Sequence, residues 1–238
     1  NNNAYSRRLL MKVSPQLFLE YLLSKDINFF TGVPDSLLKY FCLCVDENRK
    51  LKENHIIAPN EGSAIALAAG YHIGTQKIPL VYMQNSGIGN AINPILSLVD
   101  KEIYAIPMII LVGWRGEPGK QDEPQHIKQG QTQEGLLEAI SLPYDIMSSE
   151  SDYKKIINRA LSSIKASQGP HIILIKKQTF SPVVPNNKSK EPQKLKLSRE
   201  DALKIIIKNI SKESIIVSTT GKTSREIFEI REQNKESH

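Results

Sequence analysis

The 238-residue sequence predicts an α/β fold built on a doubly wound parallel sheet. Three observations predict it. Short apolar runs alternate with segments of helical periodicity along the chain. Two of those runs, residues 108–112 and 171–175, are almost continuously apolar, as parallel strands buried on both faces are. Polar, glycine-bearing loops follow the strands, and the carboxyl ends of the strands are where such sheets bind ligands.

The elements follow in order. Residues 1–12 are polar and basic and are expected to be flexible. Ser14 and Pro15 open a helix as N-cap and first-turn proline, and Leu17, Phe18, Tyr21 and Leu22 recur at helical spacing. A strand over 27–31 leads into the turn Gly32-Val33-Pro34-Asp35-Ser36, and a helix over 37–45 follows. A strand over 56–58 ends at Pro59. A helix whose side chains are nearly all small then starts at Glu61, suited to close packing on a neighbour. A strand over 78–83 runs into Gln84-Asn85-Ser86-Gly87-Ile88-Gly89-Asn90 and a helix to about Asp100. The strand over 108–112 gives way to a long polar loop over 113–131. Helices over 133–140 and 152–166 and a strand over 171–175 complete a first domain, 13–180.

Residues 181–197, rich in proline and lysine, read as a linker. Residues 198–238 read as the beginning of a second α/β domain: a helix capped by Ser198, a strand over 215–217 and a helix through Phe228. That unit is too short to bury a core of its own, so the natural chain is expected to continue past His238.

Composition excludes several classes. No stretch approaches the roughly 18–20 apolar residues of a membrane span. Nothing near the start has the apolar centre of a secretory signal. The net charge is +6. The lysines between 188 and 212 lack the interleaved aromatics that single-stranded nucleic-acid binding uses, whereas small anionic substrates suit a basic chain. Cys42 and Cys44 lie two apart on one helix, on different sides of it, poor geometry for a disulfide or a metal. A reducing, cytoplasmic setting is expected, with neither a nucleic-acid nor a membrane partner.

Several motifs fall short of their patterns. Gly221-Lys222-Thr223 ends like a phosphate-binding loop, yet the glycine required five residues earlier is Ile216. Gly87-Ile88-Gly89 opens a helix after a strand as a dinucleotide site would, but Ile92 is too large for the third position. Asp122, Glu123 and His126 share one segment without the spacing of a zinc pair, so no metal ligands are assigned. His55 and His72, with no visible partners, read as structural. Arg115, just past a strand end, could hold a phosphate, phosphonate or carboxylate bidentately. Glu61, alone in a helical first turn, would be a capping residue on spacing alone.

Together these pieces resemble the thiamine diphosphate-dependent 2-oxo acid decarboxylases. The carriers are Gly32-Val33-Pro34-Asp35-Ser36, Asn60-Glu61-Gly62-Ser63-Ala64 and Met83-Gln84-Asn85-Ser86-Gly87, then Gly113-Trp114-Arg115-Gly116 with Asp122-Glu123-Pro124-Gln125-His126, and the run from Ser218 to Glu226. The last two groups look specific to the branch acting on phosphonopyruvate and sulfopyruvate, and Thr219-Thr220-Gly221-Lys222-Thr223-Ser224-Arg225-Glu226 favours the phosphonate side.

The resemblance implies a first domain that binds the aminopyrimidine of thiamine diphosphate. Glu61 would share a proton with a pyrimidine ring nitrogen and act catalytically, with Pro34, Asn85, Ser86 and Gly87 also against the cofactor. It implies Mg²⁺ bound to the diphosphate by a second-domain segment expected beyond His238, and a homodimer or higher homo-oligomer with the active site between subunits.

The expected reaction is decarboxylation of 3-phosphonopyruvate to phosphonoacetaldehyde. The alternatives are decarboxylation of sulfopyruvate, or a non-catalytic pyrimidine-domain module. Because the turn at Asp35 and the loop from Gly113 both follow strands, Asp35, Ser36, Arg115 and His126 are expected to line the substrate end, with Gln121 nearby. Arg115 would take the phosphonate and Ser36 the carboxylate. Asp35 would hold a proton or orient His126.

Overall fold

The computed structural model describes residues 12–185, 196–219 and 221–236. The chain divides between residues 186 and 187 into two units. In the first, six strands make one sheet: β1 (Phe30–Gly32), β2 (His55–Ile57), β3 (Leu80–Gln84), β4 (Ile109–Gly113), β5 (Tyr144–Met147) and β6 (His171–Ile175). Their order is β2-β1-β3-β4-β6-β5, and every pairing is parallel. The helices of this unit are α1 (Pro15–Ser24), α2 (Lys39–Asp46), α3 (Glu61–Thr75), α4 (Ile88–Pro94), α5 (Pro124–Ala139) and α6 (Tyr153–Ser167).

Strand periodicity sorts the core into two layers. Leu80, Tyr82, Ile109, Leu111, Ile173 and Ile175 face the layer built by α1, α2 and α6, where Phe18, Leu22, Phe41, Val45, Ile157 and Ile164 are buried. Their neighbours Val81, Met83, Ile110, Val112, Ile172 and Leu174 face the opposite layer, with Ala64, Ile65 and Ala68 of α3, Ile88 and Ala91 of α4 and Leu137 of α5. Successive side chains point to opposite faces, so a strand covered on both must be apolar throughout. Phe180 closes the first layer. It bridges to Val13, and its ring lies 5.3 Å from Phe18 and 6.0 Å from Phe41.

The structure corrects several sequence expectations. The loop expected over 113–131 is only half loop, because α5 starts at Pro124 with Glu123 as N-cap. Its first two turns carry almost no apolar residues, so hydrophobic periodicity is silent there. Gln125 and His126 are therefore helical. The half-buried edge strand β5 was not foreseen. The helix after β3 is α-helical only to Pro94 and then widens into a π turn, Ile95–Val99. Proline has no N–H to return to the preceding turn. His55 and His72 do have partners: His55 Nε2 meets the Tyr82 hydroxyl at 2.9 Å and His72 Nδ1 the Lys77 carbonyl at 2.9 Å. Cys42 and Cys44 are free thiols, both half-buried.

In the second unit, α7 (Arg199–Asn209) starts with a reciprocal capping box between Ser198 and Asp201. Arg199 Nε reaches Glu226 of α8 (Lys222–Gln233) at 2.7 Å. The strand expected over 215–217 does not form. Ile215 and Val217 are 92% and 91% exposed, and a strand needs a partner ladder for its backbone groups. Residues 1–11 and 186–195, which include most of the expected flexible N-terminus and linker, lie outside the described residues, as do Thr220 and residues 237–238.

Candidate cofactor and substrate site

The chain leaves β1 into α2, against the first core layer, and leaves the adjacent β3 into α4, against the second. The two loops part company between neighbouring strands, the switch point at which open α/β sheets bind ligands. The loop at Val33–Ser36, the turn at Asn85–Gly87 and the segment after β4 all meet at this edge, and the start of α3 comes in beside them.

Glu61 is built into this edge from both sides. Asn60, with extended backbone, caps α3 by accepting the Ser63 N–H at 2.9 Å, which sets Glu61 in the first turn. Glu61 Oε2 accepts the Asn90 Nδ2–H at 2.9 Å. Oε1 lies against Gly87, where a β-carbon would overlap the carboxylate. Pro94 returns no N–H to the Asn90 carbonyl, and that oxygen faces Gly62, so α3 and α4 approach through glycine on both sides. Asn90 was missed as a site residue. Its signal was its position three residues after Gly87, on the same helical face.

The turn after β3 supports its neighbours. The buried Asn85 amide donates to the Arg115 carbonyl at 2.8 Å and accepts the Arg115 N–H at 3.2 Å, stitching the ends of β3 and β4 together. Ser86 Oγ accepts from Gln84 Nε2 at 2.6 Å. Pro34 is exposed just after Val33, whose N–H bonds the Tyr82 carbonyl at 3.0 Å.

Among the residues expected at the substrate end, Arg115 donates from Nε to Asp122 Oδ2 at 2.8 Å, from Nη2 to Asp122 Oδ1, and from Nη1 to Ser36 Oγ at 3.0 Å. Asp122 also accepts the Gly116 and Glu123 N–H groups at 2.9 and 2.8 Å. The guanidinium bonds hold its carboxyl well below the usual range.

Asp35 behaves oppositely. It is 6% exposed, and burial raises its pKa against the opposing pull of the Leu37 N–H, at 2.7 Å, and of Arg115. Its Oδ2 lies so close to Gly113 that a β-carbon there would overlap it. Beside it, burial pushes the Cys42 thiol up to about 12. Asp35 Oδ1 and His126 Nδ1 are both buried without a hydrogen-bond partner, so Asp35 does not orient His126 as one expectation had it. His126 sits in the first turn of α5. Gln121 is exposed, and its carbonyl accepts from Lys177 Nζ at 3.1 Å.

The loop carrying these groups is anchored on each side. Trp114 Nε1 donates to the Gly130 carbonyl of α5 at 3.0 Å, and Lys176 pairs with the buried Glu117 at 2.8 Å. Gly116 takes a φ of +69°, and its backbone meets α5 at Gly130, where a β-carbon would overlap the Gly116 carbonyl.

Among the described residues no three His, Cys, Asp or Glu side chains converge as a metal site would, and the Asp122 carboxylate is committed to Arg115 and two backbone amides. What the edge offers is a braced carboxylate over a glycine cradle, two buried polar atoms without partners, and a fixed guanidinium. That donor set fits a heteroaromatic cofactor whose ring nitrogen meets Glu61, beside a small anion held by Arg115.

Fold and site thus outline an α/β domain with a ligand-binding edge at its switch point. Residues 12–139 match the family model described as thiamine pyrophosphate enzyme, N-terminal TPP binding domain, and the chain belongs to that family, among its thiamine diphosphate-dependent decarboxylases. It is 27% identical over 198 residues to a phosphonopyruvate decarboxylase of Streptomyces viridochromogenes, covering 76% of this chain and 48% of that one. It is 26% identical to another from Streptomyces hygroscopicus over 238 residues, covering 94% and 58%. It is 33% identical over 139 residues to the sulfopyruvate decarboxylase subunit alpha of Methanococcus maripaludis, covering 58% and 80%. The chain therefore spans about half the length of the two phosphonopyruvate decarboxylases. Among solved structures, benzoylformate decarboxylase from Polynucleobacter necessarius superposes with a TM-score of 0.51 at 16% identity, covering 82% of this chain and 36% of that one, a likeness of fold.

Proposed function

We propose that this chain supplies the aminopyrimidine side of a thiamine diphosphate site in an enzyme that decarboxylates phosphonopyruvate to phosphonoacetaldehyde and carbon dioxide. The observation that carries the reading is the Glu61 carboxylate, braced by Asn90 and seated over Gly87 at the switch point. When bound, thiamine diphosphate supplies the electron sink that loss of carbon dioxide from a 2-oxo acid requires. The chain's own residues do the rest. Glu61 shares a proton with a ring nitrogen of the aminopyrimidine and fixes its tautomer. Gly87 admits the ring close to the backbone, with Ser86 and Pro34 beside it and Asn85 holding the strand ends in register. Arg115 takes the phosphonate through N–H bonds not used on Asp122 and Ser36. Ser36, already accepting from Arg115, still has its own hydroxyl proton for the substrate carboxylate. Burial raises the Asp35 pKa and so favours its protonated form, the form that can deliver a proton from its carboxyl. His126 and Gln121 flank the loop.

The wider reading has Mg²⁺ at the diphosphate, held by ligands outside these residues, and a homo-oligomer completing the site between subunits. Residues 13–180 are the pyrimidine-binding domain and 198–238 the start of the diphosphate-binding domain. The free thiols of Cys42 and Cys44 favour the cytoplasm.

Sulfopyruvate is the second reading, supported by the higher identity to sulfopyruvate decarboxylase alpha. Phosphonopyruvate is preferred because the likeness to phosphonopyruvate decarboxylase runs on into the second unit. The test is carbon dioxide release by the full-length enzyme, with thiamine diphosphate and Mg²⁺, from phosphonopyruvate, sulfopyruvate and pyruvate. The highest kcat/KM is expected for phosphonopyruvate. A higher value for sulfopyruvate would replace the substrate, and no release from any 2-oxo acid would overturn the reading.

A further inference from the structure

We propose that Asp122 is a positioning residue: it aims Arg115 at the substrate anion, and selectivity comes from the fixed direction of the remaining guanidinium N–H bonds. The inference rests on the assignment of Arg115 to the phosphonate made above.

A guanidinium has five N–H donors in a rigid fork. Nε and one N–H of Nη2 go to Asp122, and one N–H of Nη1 goes to Ser36. Two N–H bonds, one on each terminal nitrogen, have no partner among the described residues. Asp122 is itself immobilised, because its two oxygens accept the Gly116 and Glu123 N–H groups on either side of the loop. The side chains of Arg115 and Asp122 are 18% and 8% exposed, so solvent does not compete strongly for either. The Asn85 amide holds the Arg115 backbone at both its N–H and its carbonyl. Backbone and side chain of Arg115 are therefore both fixed before any ligand arrives.

The pair also has no net charge. A phosphonate approaching it meets two oriented donors, with the attraction of the guanidinium largely offset by Asp122. Charge alone and positioning thus predict opposite results for removing Asp122. On charge alone, deleting a carboxylate beside an anionic substrate improves binding. On positioning, it weakens binding, because Arg115 loses its aim. The part Asp122 plays in substrate choice runs through Arg115, so its removal should not change selectivity further once Arg115 is gone.

The experiment compares kcat and KM for phosphonopyruvate and pyruvate in full-length wild type, Asp122→Asn, Asp122→Glu, Arg115→Ala and the Asp122→Asn/Arg115→Ala double variant. Asp122→Asn is isosteric and is expected to raise KM for phosphonopyruvate roughly tenfold, the scale of one charge-assisted hydrogen bond, with kcat on pyruvate within about twofold. Asp122→Glu, which keeps the carboxylate, should recover part of that loss. The double variant should match Arg115→Ala in its ratio of efficiencies. A lower KM for phosphonopyruvate in Asp122→Asn would overturn positioning in favour of charge. An equal loss on both substrates, or a further loss in the double variant, would overturn it in favour of a general structural role. If Arg115→Ala leaves the ratio of efficiencies at the wild-type value, the assignment of Arg115 itself fails. A changed ratio in Arg115→Ala beside an unchanged one in Asp122→Asn removes Asp122 alone.

Discussion

Residue 87 must be glycine if residue 61 is to be a glutamate in this position, because a β-carbon at Gly87 would overlap Oε1 of Glu61. The two residues belong to different strand–helix crossovers, after β2 and after β3, and meet where α3 and α4 pack in the same layer on one face of the sheet.

Gly87→Ala should push the Glu61 carboxylate off its seat while leaving the sheet intact. Cofactor-dependent activity is expected to fall by on the order of a hundredfold, the scale of a misplacement of about 1 Å at a reacting site. Far-ultraviolet circular dichroism should match wild type. Full activity in this variant would mean that the side chain does not need to lie against residue 87.

Gly130→Ala tests the anchoring of the loop after β4. An added methyl would meet the Gly116 carbonyl, so α5 must move off the loop or the loop must shift. Overpacking of this kind costs about 1–3 kcal/mol. The denaturant midpoint should fall accordingly, and KM for phosphonopyruvate should rise, since Arg115, Gly116 and Asp122 share that loop. An unchanged midpoint and KM would show that the contact gives way freely.

Asp35 gives a signed pH dependence. Burial raises its pKa in the folded protein, so between its ordinary value and that raised value the folded state holds more proton than the unfolded state. Its ionisation therefore costs stability as pH rises through the raised pKa, and the cost is absent below the unfolded value. Relative to wild type, Asp35→Asn should gain stability progressively as pH rises above the ordinary carboxyl value of about 4. Thermal unfolding at a series of pH values reads this directly. A difference independent of pH would mean that burial does not raise the Asp35 pKa.

Arg115→Lys keeps the charge and loses the planar fork. Lysine cannot reproduce the paired bonds to Asp122 together with that to Ser36. The efficiency ratio of phosphonopyruvate to pyruvate should therefore fall, by roughly tenfold or more. Equal losses on both substrates would leave the phosphonate without its assigned partner.

How much of this was legible in the sequence depends on the kind of signal. Fully buried strands announce themselves by apolar continuity, so β4 and β6 were found to within a residue. Glu61 in a first turn and the small residues behind it marked α3. The start of α5 was invisible because its first turns, Gln125 to Gln129, bury little apolar surface. Edge strand β5 is short and half-buried, and carries no alternation to find. The site was legible as a set of loops after strands. Its pairings were not. Asp122 was weighed only as a metal ligand and set aside, because sequence spacing cannot show that a carboxylate seven residues from Arg115 folds back onto it. Asn90 read only as the end of the loop after β3, because its partner Glu61 lies on another crossover.

Glu61 is the residue proposed to share a proton with the aminopyrimidine of the cofactor. The most direct measurement is the rate of proton exchange at the thiazolium carbon of bound thiamine diphosphate, followed by nuclear magnetic resonance in deuterated water, for full-length wild type and Glu61→Gln. The amide is nearly isosteric and can still meet Asn90, so fold and sheet should persist. Exchange in Glu61→Gln is expected to slow by at least about a hundredfold, the range typical of a lost acid–base group. Wild-type exchange in that variant would contradict the account and remove Glu61 from the chemistry.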